Sequence, residues 1–175
     1  TSTVSCLSQA RPTLTHRAIT RLVNDNQVKY VITQNVDGLH RRAGLSRRFH
    51  STVHGCVFTS KCYQCGLEIF GDTDTGGLSF QPTGRTCPEP NCGGSLHDIL
   101  LDWEDSVLDM DRAELECEKA DLVLCLGTSL RIEPVGSLQL KATQFAIVNL
   151  QATPHDESAA LVVRARTDDV MGRVM

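Results

Sequence analysis

The chain contains no apolar run approaching the ~20 residues that a helix needs to span a bilayer, and no stretch with the form of a signal peptide. No membrane partner is expected. Excess charge is also lacking: 22% of residues are charged and the formal net charge is −4. Such a chain is neither disordered nor broadly basic, which argues against nucleic acid as its main partner. Internal repeats and low-complexity tracts are absent. The 175 residues suffice for about one domain with a real core. They begin Thr-Ser-Thr without a methionine, so the displayed start is not taken as the native one.

One basic cluster breaks the even charge distribution. Arg41, Arg42, Arg47 and Arg48 fall within residues 41–50, and a solvated face is the expected reading rather than a phosphate track. Cysteine is plentiful, with eight in all. Cys6, Cys56, Cys117 and Cys125 stand singly, and Cys125, inside LVLCL, reads as a small buried hydrophobe. The other four come as two close pairs, which a secreted disulfide scaffold would not require. Cysteine usage points to a reducing compartment.

Periodicity outlines an alternating α/β order. RPTLTHRAITRLVNDN predicts a helix with Pro12 in its first turn and Leu14, Ala18 and Leu22 along one face. VKYVIT (28–33) predicts a strand. Residues 56–96 are rich in glycine, proline and polar side chains and hold no period. DILLDW predicts a strand, residues 110–120 a charged helix with Ala113, Cys117 and Ala120 inward, and LVLCLG and FAIVNL two more strands. DDVMGRVM predicts a closing helix with Asp168 as N-cap. Strands that are apolar throughout and alternate with helices imply a parallel sheet covered on both faces. The irregular middle reads as a small inserted module.

Three predicted strands end in polar runs: VIT into QNVD, LCLG into TS, and IVN into LQ. Open parallel sheets bind ligands at the carboxyl ends of their strands, so chemistry is expected at these ends. Asp37-Gly38 taken alone would signal only a turn.

The sharpest local signal is CYQCG followed by CPEPNCGG. Two short cysteine loops about twenty residues apart suit a tetrahedral four-thiolate zinc site, with Cys62, Cys65, Cys87 and Cys92 as ligands. Four thiolates leave no open position, so the ion's role is expected to be structural.

With these pieces in order, the chain resembles the sirtuins, NAD-dependent protein-lysine deacylases. QNVDGLHRRAG (34–44), VHG (53–55), the cysteine quartet, GTSL (127–130) and IVNLQ (147–151) fall in family order. ARPTLTH, LDWED, GTSLRIEP and NLQATPHD look most like the class IV, sirtuin-6-like branch, which has nuclear members. The resemblance implies a Rossmann-like NAD-binding domain over residues 1–55 and 97–175, with a zinc-binding module at 56–96. It also implies residue roles. Gln34, Asn35 and Asp37 would line the nicotinamide and ribose site, and His54 would be the catalytic base. Gly127, Thr128 and Ser129 would lie beside the cofactor phosphate and ribose, Asn149 and Gln151 at the adenosine ribose, and Thr167 at adenine. His16 and His40 have no such support and read as surface or capping residues. Trp103, the only tryptophan, reads equally as a core anchor or as part of the strand that clasps the substrate peptide.

The implied cofactors are NAD and one structural Zn2+. The implied partners are acyl-lysine proteins or peptides, histones among them, with chromatin association and a nuclear location. Mono-ADP-ribosyl transfer is a side activity of the family. The family's glycine-rich GAGIS segment and GIPDFRG loop are not among these residues. Without that glycine-rich turn, the pyrophosphate would lose backbone N–H donors and a helix dipole. The expectation is therefore a part of a longer chain, or a truncated product with damaged cofactor binding. Two rival readings stand beside the enzyme: a zinc-stabilised scaffold that grips acylated peptide or chromatin partners without turnover, and, more weakly, nucleic-acid binding through the four arginines.

Overall fold

In the computed structural model, residues 7–175 are described; Cys6 lies outside them. Helix α1 (Leu14–Asn24) starts after Pro12, and the amide of Thr13 donates to Nδ1 of His16 at 3.2 Å. One orphan amide of the helix start is thereby satisfied from the third helical position. The buried face is Thr15, Ala18, Thr20 and Val23. Leu14, expected inward, is 39% exposed. Threonine can line this face because Thr20 returns its hydroxyl to the carbonyl of His16 (3.0 Å).

The parallel framework comes in two pieces. Strands β1 (Val31–Thr33) and β2 (His50–Thr52) pair in parallel, Val31 opposite His50 and Thr33 opposite Thr52. They are joined through the short helix α2 (Leu39–Arg42). Strands β7 (Val123–Leu126), β8 (Phe145–Val148) and β9 (Leu161–Val163) form the second sheet, in the order β7-β8-β9 and all parallel. Helix α3 (Met110–Glu118) feeds β7, and helix α4 (Thr167–Val174) follows β9.

One core joins the two pieces. Val53, just past β2, packs with Ala113 and Cys117 of α3 and with Val135 and Leu138, and Ile32 and Val123 press against the same cluster. All four residues of β8 are buried, as a strand covered on both faces requires. In β7 Leu124 is 45% exposed, because β7 is the outer strand of its sheet among the described residues. Cys125 is buried as expected, and burial pushes its thiol up to about 12.

Residues 56–96, without period in sequence, do contain strands. β3 (Thr59–Cys62), β4 (Glu68–Phe70), β5 (Pro82–Thr86) and β6 (Ser95–Asp98) form an antiparallel sheet ordered β4-β3-β6-β5. Segments this short carry too few alternations to register as a pattern.

DILLDW is not a strand. Asp98 ends β6, and the backbone that follows bonds elsewhere: the Leu100 amide to Oδ1 of Asp98 (2.9 Å) and the Leu101 amide to the carbonyl of His54 (3.2 Å). Asp168 does not cap α4, whose N-cap is Arg166. Its Oδ1 instead accepts from the Thr15 amide and the Thr13 hydroxyl, both at 2.9 Å, at the start of α1. Trp103 is no core anchor, being 90% exposed.

The arginine cluster is neither a plain solvated face nor a track of free cations. Arg41, Arg42 and Arg48 lie over the rings of Phe70, Phe58 and Phe49, at 5.2, 4.2 and 4.4 Å from the ring centres. Arg47 pairs with Glu68 (2.8 Å) and Asp109 (2.7 Å), tying the antiparallel sheet to the start of α3. Such cation–π contacts contribute ~0.5–2 kcal/mol each, depending on desolvation.

Candidate active site and metal centre

The four paired cysteines converge. Cys62 closes β3, Cys65 follows in the turn, Cys87 lies one residue past β5, and Cys92 sits in the loop before β6. All four sulfurs lie within 4.8 Å of one another, with Cys62–Cys92 at 3.6 Å and Cys65–Cys87 at 3.7 Å. These separations are far too long for disulfides, whose S–S bond is ~2.05 Å. They match the ~3.8 Å edge of a tetrahedron built on Zn–S bonds of ~2.3 Å. The Gln64 amide points at Cys62 Sγ (3.4 Å), as expected around a thiolate. Gly94 lies so close to the Cys62 sulfur that a Cβ there would come within 2.7 Å of it. The donor set and its dimensions fit one structural zinc ion.

The second site arises from strand register. Because β1 and β2 are parallel with Thr33 opposite Thr52, the residues just after them leave the sheet side by side. Gln34 and Asn35 thus emerge beside Val53 and His54. The Val53 amide donates to the carbonyl of Thr33 (3.0 Å), extending the pairing one step beyond the strands. Gly55 then turns the chain at φ +85, where a Cβ would lie 1.9 Å from the carbonyl oxygen of Ile99. Only glycine fits that approach.

The run after β1 is both a turn and a set of free polar groups. Oδ1 of Asp37 accepts from the Leu39 amide (2.9 Å) at the start of α2. Gly38 has φ +65, and a Cβ there would strike the Phe70 ring at 2.8 Å. The side chains of Gln34, Asn35 and His54, by contrast, make no hydrogen bond among the described residues. Three unpaired hydrogen-bonding groups at adjacent strand ends are available to a ligand.

The same logic recurs in the second sheet. Leu126 stands opposite Val148, and Val148 opposite Val163, so Gly127 and Asn149 start their loops together. The Gly127 amide donates to the carbonyl of Val148 (2.9 Å). Thr128 and Ser129 follow, with the Thr128 hydroxyl accepting from the Leu130 amide (3.2 Å). Asn149 donates its side-chain amide to the carbonyl of Gln151 (2.9 Å), folding that turn. A Cβ on Gly127 would lie 3.5 Å from the Thr167 methyl, so the start of α4 borders this loop. The structure thus gathers the proposed residues into two groups: Gln34, Asn35, Asp37 and His54; and Gly127, Thr128, Ser129, Asn149, Gln151 and Thr167.

Several supporting side chains escaped the sequence reading. Arg164 donates to the carbonyl of Gln151 (2.8 Å) and pairs with Asp156, whose carboxylate also accepts from the Thr153 amide and hydroxyl. This network fixes the Asn149–Gln151 turn; Thr153 and Asp156 fall inside a stretch that sequence singled out, and Arg164 does not. His16, expected as a surface or capping residue, does cap α1, but it also begins a histidine stack. Its ring centre is 4.8 Å from that of His40, which is 6.4 Å from that of His50. His40 is no surface residue. Burial first, then the neighbouring His16 and His50, hold its pKa down to about 4. Burial also lowers His16, opposed by the charges of Asp37 and Asp168. The three rings are therefore held towards the neutral form, burial leading in each case.

A family model described as the Sir2 family matches residues 2–134. The NAD-dependent protein deacetylase SRT1 of Arabidopsis thaliana is 43% identical over 173 residues, covering 95% of this chain and 37% of that protein. The NAD-dependent protein deacetylase Sirt6 of Drosophila melanogaster is 36% identical over 179 residues, covering 95% of this chain and 56% of that protein. Among solved structures, a Sir2–p53 peptide–NAD+ structure superposes with a TM-score of 0.73 at 25% identity, over 97% of this chain and 71% of that one. The chain thus spans between about a third and somewhat over half the length of these two curated relatives. Matched through the paired strand ends and the cysteine quartet alike, the chain belongs to the Sir2 family.

Proposed function

We propose that the chain carries the strand-end half of an NAD-dependent protein-lysine deacylase site, with His54 as general base. One observation supports this above the rest: the in-register parallel pairing of β1 and β2, from whose adjacent ends Gln34, Asn35 and His54 leave the sheet with side chains that make no hydrogen bond among the described residues. NAD, when bound, supplies the ribose carbon that receives the acyl oxygen and the nicotinamide that leaves. Asn35 and Gln34 offer hydrogen bonds to the carboxamide and ribose, and Asp37 has one carboxylate oxygen left after capping α2. His54 would take a proton from a ribose hydroxyl of the bound cofactor, so that this oxygen could capture the acyl group. Gly127, Thr128 and Ser129 would border the phosphates and second ribose, with Asn149, Gln151 and Thr167 towards the adenosine.

The zinc module holds the loops around this site rather than taking part in chemistry, since four thiolates close the ion's coordination. The substrates we propose are acyl-lysine peptides and proteins, histones and other nuclear proteins among them, with mono-ADP-ribosyl transfer as a second outcome of the same chemistry. The boundaries proposed for the module are residues 56–96, within a Rossmann-like domain of 1–55 and 97–175.

ADP-ribose titrated into isotope-labelled protein tests the placement. The expected result is amide shifts at Asn35, His54, Gly127 and Asn149, reduced in Asn35→Ala. Saturable binding that leaves these four amides unmoved would overturn it.

A further inference from the structure

A cavity of about 330 Å³ lies at the seam between the antiparallel sheet and the start of α3, with Phe80, Ile99, Leu108 and Asp109 in its lining. Its volume is at the lower end of the ~300–1,000 Å³ typical of small-ligand sites. None of the residues gathered at the strand ends lines it. The walls are pinned. Phe80 and Asp109 hold the left-handed backbone that residues other than glycine rarely adopt, at φ +63 and +52. The ring of His97 donates to the Phe80 carbonyl (2.8 Å) and stacks on the ring of Tyr63 at 3.9 Å, and Tyr63 lines the cavity too. Arg47 holds Asp109 from the other side (2.7 Å).

The charge of the lining favours a cation. Glu68, Asp98 and Asp109 face Arg47 and Lys61, three carboxylates against two cations. Lys61 is exposed and makes no ion pair among the described residues, so its long stem can carry the ammonium into water. The inner surface is then more acidic than the count. Asp98 is spent: it is fully buried, and its oxygens accept the amides of Gln81 (2.6 Å) and Leu100 (2.9 Å). Glu68 gives both oxygens to Arg47 (2.8 and 3.3 Å). Asp109 gives Arg47 only Oδ2, and its Oδ1 makes no hydrogen bond among the described residues. One free carboxylate oxygen beside aromatic and aliphatic walls is complementary to an ammonium carried on an aromatic body.

We propose that this cavity binds a small arylalkylamine, its ring against Phe80, Ile99 and Leu108 and its ammonium at Asp109. The far wall gives the occupant a route to the strand ends. The Leu108 amide donates to the carbonyl of Val53 (2.9 Å), and the Leu101 amide to that of His54 (3.2 Å). An occupant held between Ile99 and Leu108 stiffens the segment that carries both bonds, which makes the amine an effector of the His54 strand end. The binding itself does not depend on what His54 does.

The probes are tryptamine, its uncharged twin tryptophol, and butylamine, which has the ammonium without the ring. Each is titrated at low salt into the isotope-labelled, zinc-loaded chain. Tryptamine should shift the amides of Phe80, Leu108 and Asp109 saturably and bind about five- to tenfold more tightly than either control. At saturation, hydrogen exchange of the Leu101 and Leu108 amides should slow severalfold. Asp109→Asn should abolish the advantage over tryptophol. Lys61→Gln, at an exposed position, should tighten tryptamine about twofold and leave tryptophol unchanged. Phe80→Gly, which suits the positive φ, should weaken both indoles. Equal affinity for tryptamine and tryptophol, or for tryptamine and butylamine, overturns the inference, as do shifts confined to Asn35 and His54. An advantage that persists in Asp109→Asn also overturns it; should that variant not fold, tryptamine affinity unmoved by Lys61→Gln does so instead. A lysine peptide that binds at these amides more tightly than tryptamine would make the occupant a protein side chain and overturn it too. The deacylase reading stands through any of these results.

Discussion

The carboxylate of Asp168 accepts the backbone amide of Thr15 at 2.9 Å across 153 residues of sequence. Helix α1 is thus capped from α4, whose start borders the Gly127 loop. Hydrogen bonds from the Thr15 hydroxyl and amide lead the effects that hold the Asp168 carboxyl below the usual range. Replacing Asp168 by Ala should cost ~0.5–2 kcal/mol, as for an N-cap, and lower Tm by a few degrees, measured by thermal denaturation at pH 7. Asp168→Asn, which keeps an acceptor, should cost less. Since the folded-state pKa is lowered, the contribution is full at neutral pH and fades as pH falls below ~4.

The histidine stack should make stability depend on pH. His40 is held down to about 4, so the unfolded chain binds more protons than the folded one between pH 6.5 and 4. Stability therefore falls as pH drops through that window, by on the order of 2 kcal/mol from His40 between pH 7 and 5. Urea unfolding at both values measures it. His40→Phe, which keeps a ring against His16 and His50, should flatten the dependence.

Metal removal should unfold the antiparallel sheet before the rest. Structural zinc contributes ~10–16 kcal/mol in small modules at neutral pH, and strands of three to five residues have little else to hold them. Cys87→Ala should lose zinc stoichiometry by elemental analysis and lose amide protection in residues 59–98. Full zinc content in that variant would contradict the four-thiolate assignment.

Gly55→Ala should be more damaging than its size suggests. Its φ of +85 is unfavourable for alanine, and the new Cβ would overlap the Ile99 carbonyl at 1.9 Å. The atoms it would strike are backbone, so the loop after β6 must move and the Leu101–His54 bond with it. A loss of more than ~2 kcal/mol in chemical denaturation is expected.

Much of this was legible in the sequence because it rests on local spacing. CYQCG and CPEPNCGG place their thiolates within two tight turns, and the polar runs after VIT, LCL and AIV mark strand ends without tertiary knowledge. What sequence could not show was made by long-range contact. Asp168 looks like the cap of its own helix, and only packing reveals that it caps another. DILLDW has a strand's composition, but the close approach at Gly55 and the bond to His54 claim its backbone. Arg41, Arg42, Arg47 and Arg48 read as a solvated run until Phe58, Phe70, Glu68 and Asp109 arrive from other elements. The register that brings His54 beside Asn35 is likewise a tertiary fact.

The central claim is that His54 acts after nicotinamide has left, by activating the hydroxyl that captures the acyl group. Parallel quantification by mass spectrometry of nicotinamide and O-acyl-ADP-ribose, from NAD and an acetyl-lysine histone peptide, tests it most directly. The account predicts that His54→Ala lowers O-acyl-ADP-ribose formation ~10²–10⁴-fold while nicotinamide expulsion falls much less. Unchanged product formation in His54→Ala, or a loss of nicotinamide expulsion as large as the loss of product, would contradict it.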